Sequence, residues 1–209
     1  MTDSAALLRK LKSEYGIQPL IVQAVESEML RHTSGRFRNL KSGFEKHLNS
    51  GLLRVLSREF LSSEKGSAIG GSLFTQADQQ GRHLHTFIDR GEAYCHGAGM
   101  TLGVPVLTHD IQAINRLGGQ GILYTEPLLR FHDLLGFGVQ TRALSHDDCN
   151  HARDILRQNN EWIMQCFKGV PYSSALPFFF LRLVDGSYPI IGETFSSKPL
   201  DKRLSISHI

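Results

Sequence analysis

Residues 89–110 read DRGEAYCHGAGMTLGVPVLTHD, and their pattern decides the fold class. Asp89 stands three residues ahead of Glu92, the composition of a helix N-terminus, and the small residues Ala93, Gly97, Ala98 and Gly99 follow. Side chains of that size let a helix lie close against a sheet. Gly103 ends the helix, because glycine enters the left-handed conformation of a helix C-terminus without a Cβ penalty. Val104–Thr108 then reads as a strand, and Asp110 opens a further helix through Leu117. Helices and strands alternating at this spacing predict an α/β fold with a central parallel sheet flanked by helices.

Working outward, the same alternation holds upstream. Residues 4–13 place Leu7, Leu8 and Leu11 at helical spacing behind Asp3, and Gly16 stops the helix. Residues 17–22 (IQPLIV) read as a buried strand, residues 24–32 as a helix with Val25 and Met29 one turn apart, and residues 52–56 as a second apolar run. Ser62 to Gly81, rich in Ser and Gly and without a period, is expected to be a mobile loop. Downstream, Gly118, Gly119 and Gly121 lead to a short strand at Ile122–Tyr124. Past residue 142 the pattern changes. Ser145, Asp147 and Asp148 begin a helix expected to run to about Lys168. Phe178–Val184 and Tyr188–Phe195 then flank Asp185-Gly186, a hairpin signal because a tight two-residue turn needs positive φ. The expected organisation is one domain over 1–142 and a helix-plus-hairpin extension over 143–209.

A chain of 209 residues with 41% hydrophobic and 21% charged residues is long enough to bury a sizeable core. Its net charge of +3 permits a polyanionic partner without requiring one. Cys95, Cys149 and Cys166 form no C-x-x-C, and three thiols cannot close a complete disulfide framework, which points to a reducing compartment. Neither an apolar signal core nor a run of about 18 apolar residues is found. The expectation is a cytoplasmic protein without membrane insertion.

Four carboxylates hold suggestive places: Asp3 before the first helix, Glu28 within the second, Glu92 in the first turn of the small-residue helix, and Asp110 directly after a strand. Strand C-termini and the following helix N-termini share one edge of a parallel sheet, so these acids converge there if the sheet forms. Packed carboxylates repel unless a cation sits among them, and an all-oxygen set selects hard ions such as Mg²⁺ or Mn²⁺. Taken singly, Asp3, Asp110 and the Asp89/Glu92 pair also read as helix caps, which need no metal. Glu28, inside a helix, caps nothing.

The motifs carry a resemblance. Asp3-Ser-Ala-Ala-Leu-Leu8, Val25-Glu-Ser-Glu-Met29, Asp89-Arg-Gly-Glu-Ala93 and Leu107-Thr-His-Asp110 resemble, in order, the four acidic motifs of the PIN-domain family over roughly residues 1–140. The resemblance implies a three-layer fold and a divalent-metal-dependent endoribonuclease of toxin or RNA-processing type. It further implies Asp3, Glu28, Glu92 and Asp110 as catalytic metal ligands for one or two Mg²⁺ or Mn²⁺ ions, supported by the hydroxyls of Ser4 and Thr108. The family carries a full apolar strand before its first acid, whereas only Met1 and Thr2 precede Asp3. That departure motivates the alternative, a PIN-like protein or RNA interaction module without catalysis.

Between Arg31 and Lys46 the cations Arg36, Arg38 and Lys41 are interleaved with Phe37 and Phe44. Such a cluster is either a solvated helix face or a nucleic-acid contact surface. Following the helix of Glu28, it is expected to track the RNA backbone. An inhibitor or antitoxin protein and a homo-oligomer are the other expected partners, the latter because the apolar hairpin needs a surface to bury against. His146, Cys149 and His151 do not form a zinc site in this reading, since positions i and i+5 lie about 140° apart on a helix. No P-loop is present, His83 and His85 read as a surface pair, and His109 beside Asp110 is weak evidence for proton transfer.

Overall fold

The computed structural model describes residues 4–31, 37–108, 110–122, 128–129, 131–140 and 142–158. Asp3, Arg36, His109, Cys166, most of the expected strand at Ile122–Tyr124, the expected helix beyond 158 and the expected hairpin all lie outside the described residues. The element order is α1 (Ser4–Tyr15), β1 (Leu20–Val22), α2 (Gln23–Arg31), α3 (Phe37–Asn49), β2 (Arg54–Leu56), α4 (Arg58–Lys65), α5 (Ser67–Leu84), α6 (Arg90–Leu102), β3 (Val106–Leu107), α7 (Ile111–Gly119), β4 (Leu128–Leu129), α8 (Phe131–Gln140) and α9 (His146–Gln158). Two units divide the chain. A central unit holds Leu11–Val106 and Asp110–Glu126, and a terminal unit holds Met1–Lys10, Leu107–His109 and Pro127–Ile209.

In the central unit β1 and β2 pair in parallel, with Leu20 opposite Arg54, Ile21 opposite Val55 and Val22 opposite Leu56. Parallel neighbours cannot be joined by a tight turn, and α2 and α3 supply the crossover. The apolar run at 17–22 yields only three strand residues. Pro19, which lacks an N–H, contributes its carbonyl alone, accepting from Arg54 N at 3.1 Å. Below this pair Val22, Ala24, Leu56, Leu61, Ala77 and Ala98 form one buried cluster. Leu84, Ile88, Ala93, Ala113 and Leu117 form another. Leu84 and Leu117 are fully buried, and each such side chain contributes about 1.5–3 kcal/mol of transfer free energy.

The expected mobile loop over Ser62 to Gly81 is instead helical. It comprises the end of α4 and most of the 18-residue α5. Two of its glycines, Gly70 and Gly81, look like helix breakers in sequence and are contact points. A Cβ on Gly70 would run into the backbone of Leu61, and one on Gly81 would sit 2.9 Å from the Tyr94 ring. Gly97 on α6 faces Gly81 in the same way, its Cβ position lying 2.5 Å from Gly81 N. The missing side chains let α4, α5 and α6 approach backbone to backbone, and the packing recovered offsets the ~1 kcal/mol that each helical glycine costs.

The helix of residues 90–102 forms as the sequence predicts. Gly103 ends it with φ 63° and donates its N–H to Gly99 O. In the terminal unit Thr108 N donates to the carbonyl of Leu129, the last residue of β4, at 3.0 Å. Helix α9 opens at Ser145 as expected. Asp148 N donates to Ser145 Oγ at 3.1 Å while Ser145 N donates to Asp148 Oδ2 at 2.9 Å, a reciprocal cap. The Ser145 hydroxyl is the largest cause holding the Asp148 carboxyl below its ordinary range. Helix α8, which the sequence reading did not anticipate, lies against Leu144 through Gly138.

The fold class is therefore mixed α/β and predominantly helical, its described strands forming two separate two-stranded sheets. No helix among the described residues is long and apolar enough to cross a membrane.

Candidate acidic site

Glu28 and Glu92 reach one locality through two helices. Helix α2 leaves the C-terminal end of β1, and Glu28 lies in its second turn, exposed. Glu92 lies in the first turn of α6, half-buried. Between them is Gly91, which is buried and carries no side chain. A Cβ there would stand 2.8 Å from Glu28 Oε2 and 3.2 Å from Oε1, so the absent methyl leaves the cradle that receives the Glu28 carboxylate.

Electrostatics place both acids around Cys95, one turn further along α6. Burial first, then the negative charges of Glu92 and Glu28, push its thiol from the ordinary 9.0 up to about 12, while a backbone hydrogen bond at Val22 acts the other way. A cysteine on α6 thus feels carboxylates from α2 and from α6 together. On the other side of Glu92, His96 is fully buried with Nε2 3.5 Å from Glu92 Oε2. The helix repeat accounts for this contact, since positions i and i+4 face the same way.

Asp89 occupies the N-cap of α6 with extended backbone, but its side chain makes no capping hydrogen bond. The capping-box reading of Asp89 and Glu92 does not hold on the Asp89 side, and Glu92 turns toward His96. Asp110 does cap α7. Its Oδ1 accepts from Gln112 N at 2.7 Å and from Ala113 N at 3.1 Å. Thr108 is 7% exposed. Asp3 and the side chain of Ser4 lie outside what is described. Among the described residues no three His, Cys, Asp or Glu side chains are gathered closely enough to hold a metal ion. Glu28 is the acid seated at Gly91, and Glu92 is the next residue along α6.

Of the basic residues, Lys41 is engaged within the fold. Its Nζ donates to Leu30 O at 3.0 Å, near the C-terminus of α2, and lies 3.8 Å from Glu45 Oε1. A cation at a helix C-terminus is where the helix dipole favours one. Arg36 and the side chain of Arg38 lie outside the described residues. His146 and His151 are exposed while Cys149 between them is buried, so the three do not face one way. His83 and His85 are both exposed.

Sequence reasoning passed over Gly91, Cys95 and His96. The Glu92-to-His96 spacing of four was a usable signal. The Gly91 cradle was not, because it depends on which side chain of another helix arrives there.

Fold and site together define an α/β protein with an acidic helix pair at the end of a parallel strand. Compared with protein-family models, with curated proteins and with solved structures, the chain matches none.

Proposed function

We propose that the chain is a Mg²⁺- or Mn²⁺-dependent endoribonuclease with a PIN-like three-layer fold, hydrolysing RNA phosphodiester bonds through its acidic residues. The observation that carries this reading is the seating of Glu28 against Gly91 beside Glu92, two carboxylates from separate helices acting on the same thiol. Like charges brought together favour a cation between them. A divalent ion held there supplies water activation and neutralises charge on the scissile phosphate. In this proposal Glu28 and Glu92 are its ligands, whereas Asp110 caps α7. His96 holds the Glu92 carboxylate in orientation. Arg36 and Arg38 track the RNA backbone. The enzyme acts in the cytoplasm as a toxin or RNA-processing nuclease, held by an inhibitor or antitoxin protein and self-associating through residues 143–209.

The test is cleavage of structured and unstructured RNA with Mn²⁺ or Mg²⁺. Glu28→Gln and Glu92→Gln should each lower the rate by about a hundredfold or more while thermal unfolding stays within a few degrees of the parent. Undiminished cleavage in excess EDTA, or by both variants, would overturn the metal mechanism. The capping role of Asp110 and the internal engagement of Lys41 favour a second reading, an RNA interaction module without catalysis. Tight RNA binding with no cleavage under any divalent ion would select it.

A further inference from the structure

Beside the acid pair the central unit contains a cavity that the acids do not use. It has a volume of about 360 Å³ and lies where β1 and β2 end at Val22 and Leu56, with walls from α2, α5 and α6. Helical periodicity builds those walls. Phe74, Ala77, Asp78 and Arg82 recur on one face of α5, and Arg90, Tyr94 and Ala98 recur every fourth residue on α6. Val22, Leu56, Ala77 and Ala98 make a buried apolar floor, whereas Gln23, Ser27, Asp78, Arg82 and Arg90 make a polar rim.

The rim charges are unequal. Arg82 is paired with Asp78 at 2.8 Å, so those two offset each other. Arg90 pairs with no described carboxylate and lies 5.8 Å over the Tyr94 ring, leaving one positive charge in excess among the residues that line the cavity. A volume near the lower end of ligand pockets excludes a folded partner and suits a small flat group. An apolar floor, two aromatic side chains and a single excess cation together match a planar ring tethered to an anion.

We propose that this cavity seats one unstacked base of the RNA substrate, with Phe74 and Tyr94 as its aromatic surface and Arg90 on the adjoining phosphate. The identity of the ligand rests on the nuclease reading. The position suits it, because Ser27 of the rim precedes Glu28 and Arg90 stands two residues before Glu92, so a seated base brings its neighbouring phosphodiester toward the acids. A base inside a duplex is stacked and paired and does not enter. The site therefore selects single-stranded RNA, as aromatic and guanidinium planes do elsewhere in RNA recognition.

The experiment is calorimetric titration of the full chain in EDTA with uridine and adenosine monophosphates, with ribose 5-phosphate and inorganic phosphate as probes lacking the base. Both nucleotides should bind, ribose 5-phosphate about tenfold more weakly or worse. Arg90→Ala should weaken nucleotide binding several-fold, and Ser27→Phe, which places a ring in the cavity, should abolish it. Circular dichroism checks the fold of each variant, and Phe74→Leu replaces Ser27→Phe if the latter misfolds. Equal binding of ribose 5-phosphate, no nucleotide binding at millimolar concentration, or undiminished binding by the folded variants would each overturn the proposal. No metal is needed for this measurement. Nucleotide binding without RNA cleavage therefore refutes the nuclease reading alone, and cleavage with base-indifferent binding refutes the cavity alone.

Discussion

At Gly91 a single hydrogen atom in place of a methyl group decides where a carboxylate sits. Alanine would place its Cβ 2.8 Å from Glu28 Oε2, and the flexible acid would have to move. Helix propensity favours alanine, so Gly91→Ala should leave stability within about 1 kcal/mol of the parent. On the proposed nuclease activity, cleavage should fall roughly tenfold to a hundredfold, because a small misplacement of a metal-holding carboxylate is costly. Thermal unfolding and RNA cleavage rates measured on the same sample separate the two effects. The cysteines give a second prediction at this scale. Burial is the leading cause that pushes Cys95 and Cys149 up to about 12, aided by Glu92 and Glu28 for the first and by Asp148 for the second. Both thiols are protonated in the native and unfolded chains below 9.0, so the contribution to stability is complete there. Above that pH the unfolded thiols ionise first, and stability falls as the pH rises toward about 12. In a Cys166→Ser background, a thiol reagent near neutral pH should label neither cysteine until denaturant is added. Urea midpoints should drop above pH 9 more steeply than in a variant lacking both thiols.

Among elements, the stack of α4, α5 and α6 is the most exacting part of the central unit. Gly97 has a rigid backbone, Gly81 N, 2.5 Å from its Cβ position, while Gly71 has only the tip of Arg58 at 3.9 Å. Gly97→Ala should therefore cost about 1–3 kcal/mol through overpacking, despite the better helix former. Gly71→Ala should gain up to about 1 kcal/mol, since nothing opposes its propensity. Urea unfolding of the two variants checks the pair, and equal shifts would mean that the glycines act through propensity alone. The same chemistry explains why Ser62 to Gly81 looks like a loop in sequence. Propensity counts the glycines as losses, and the gain on the other side of the balance exists only once Leu61, Tyr94 and Gly97 are in place.

For the whole molecule, a net charge of +3 means that the proposed RNA binding depends on which few cations touch phosphate. Each phosphate contact to a single strand adds roughly 0.7 to the slope of log affinity against log salt. Lys41 is already engaged by Leu30 O and Glu45. Replacing both Arg36 and Arg38 by alanine should lower the slope by roughly 1.4, whereas Lys41→Ala should lower thermal stability and change the slope little. Filter binding across a salt series, beside thermal melts, checks the division.

Helix α6 with its glycine cap, the opening of α9 at Ser145 and the strand-to-helix alternation around Asp110 were legible in the residues, because caps and periodicity are local and act within a few positions. The four acids were legible as candidates by their order along the chain. The seating of Glu28 at Gly91 was not. Sequence spacing alone could not say that Glu28 would meet Gly91, that Asp89 would leave its helix end uncapped by its side chain, or that Lys41 would turn inward to a carbonyl. The first of those outcomes depends on the approach of two helices distant in sequence, which the absent side chain of Gly91 permits. A glycine reads the same in a sequence whether it breaks a helix or lets another helix in; only the tertiary packing distinguishes them.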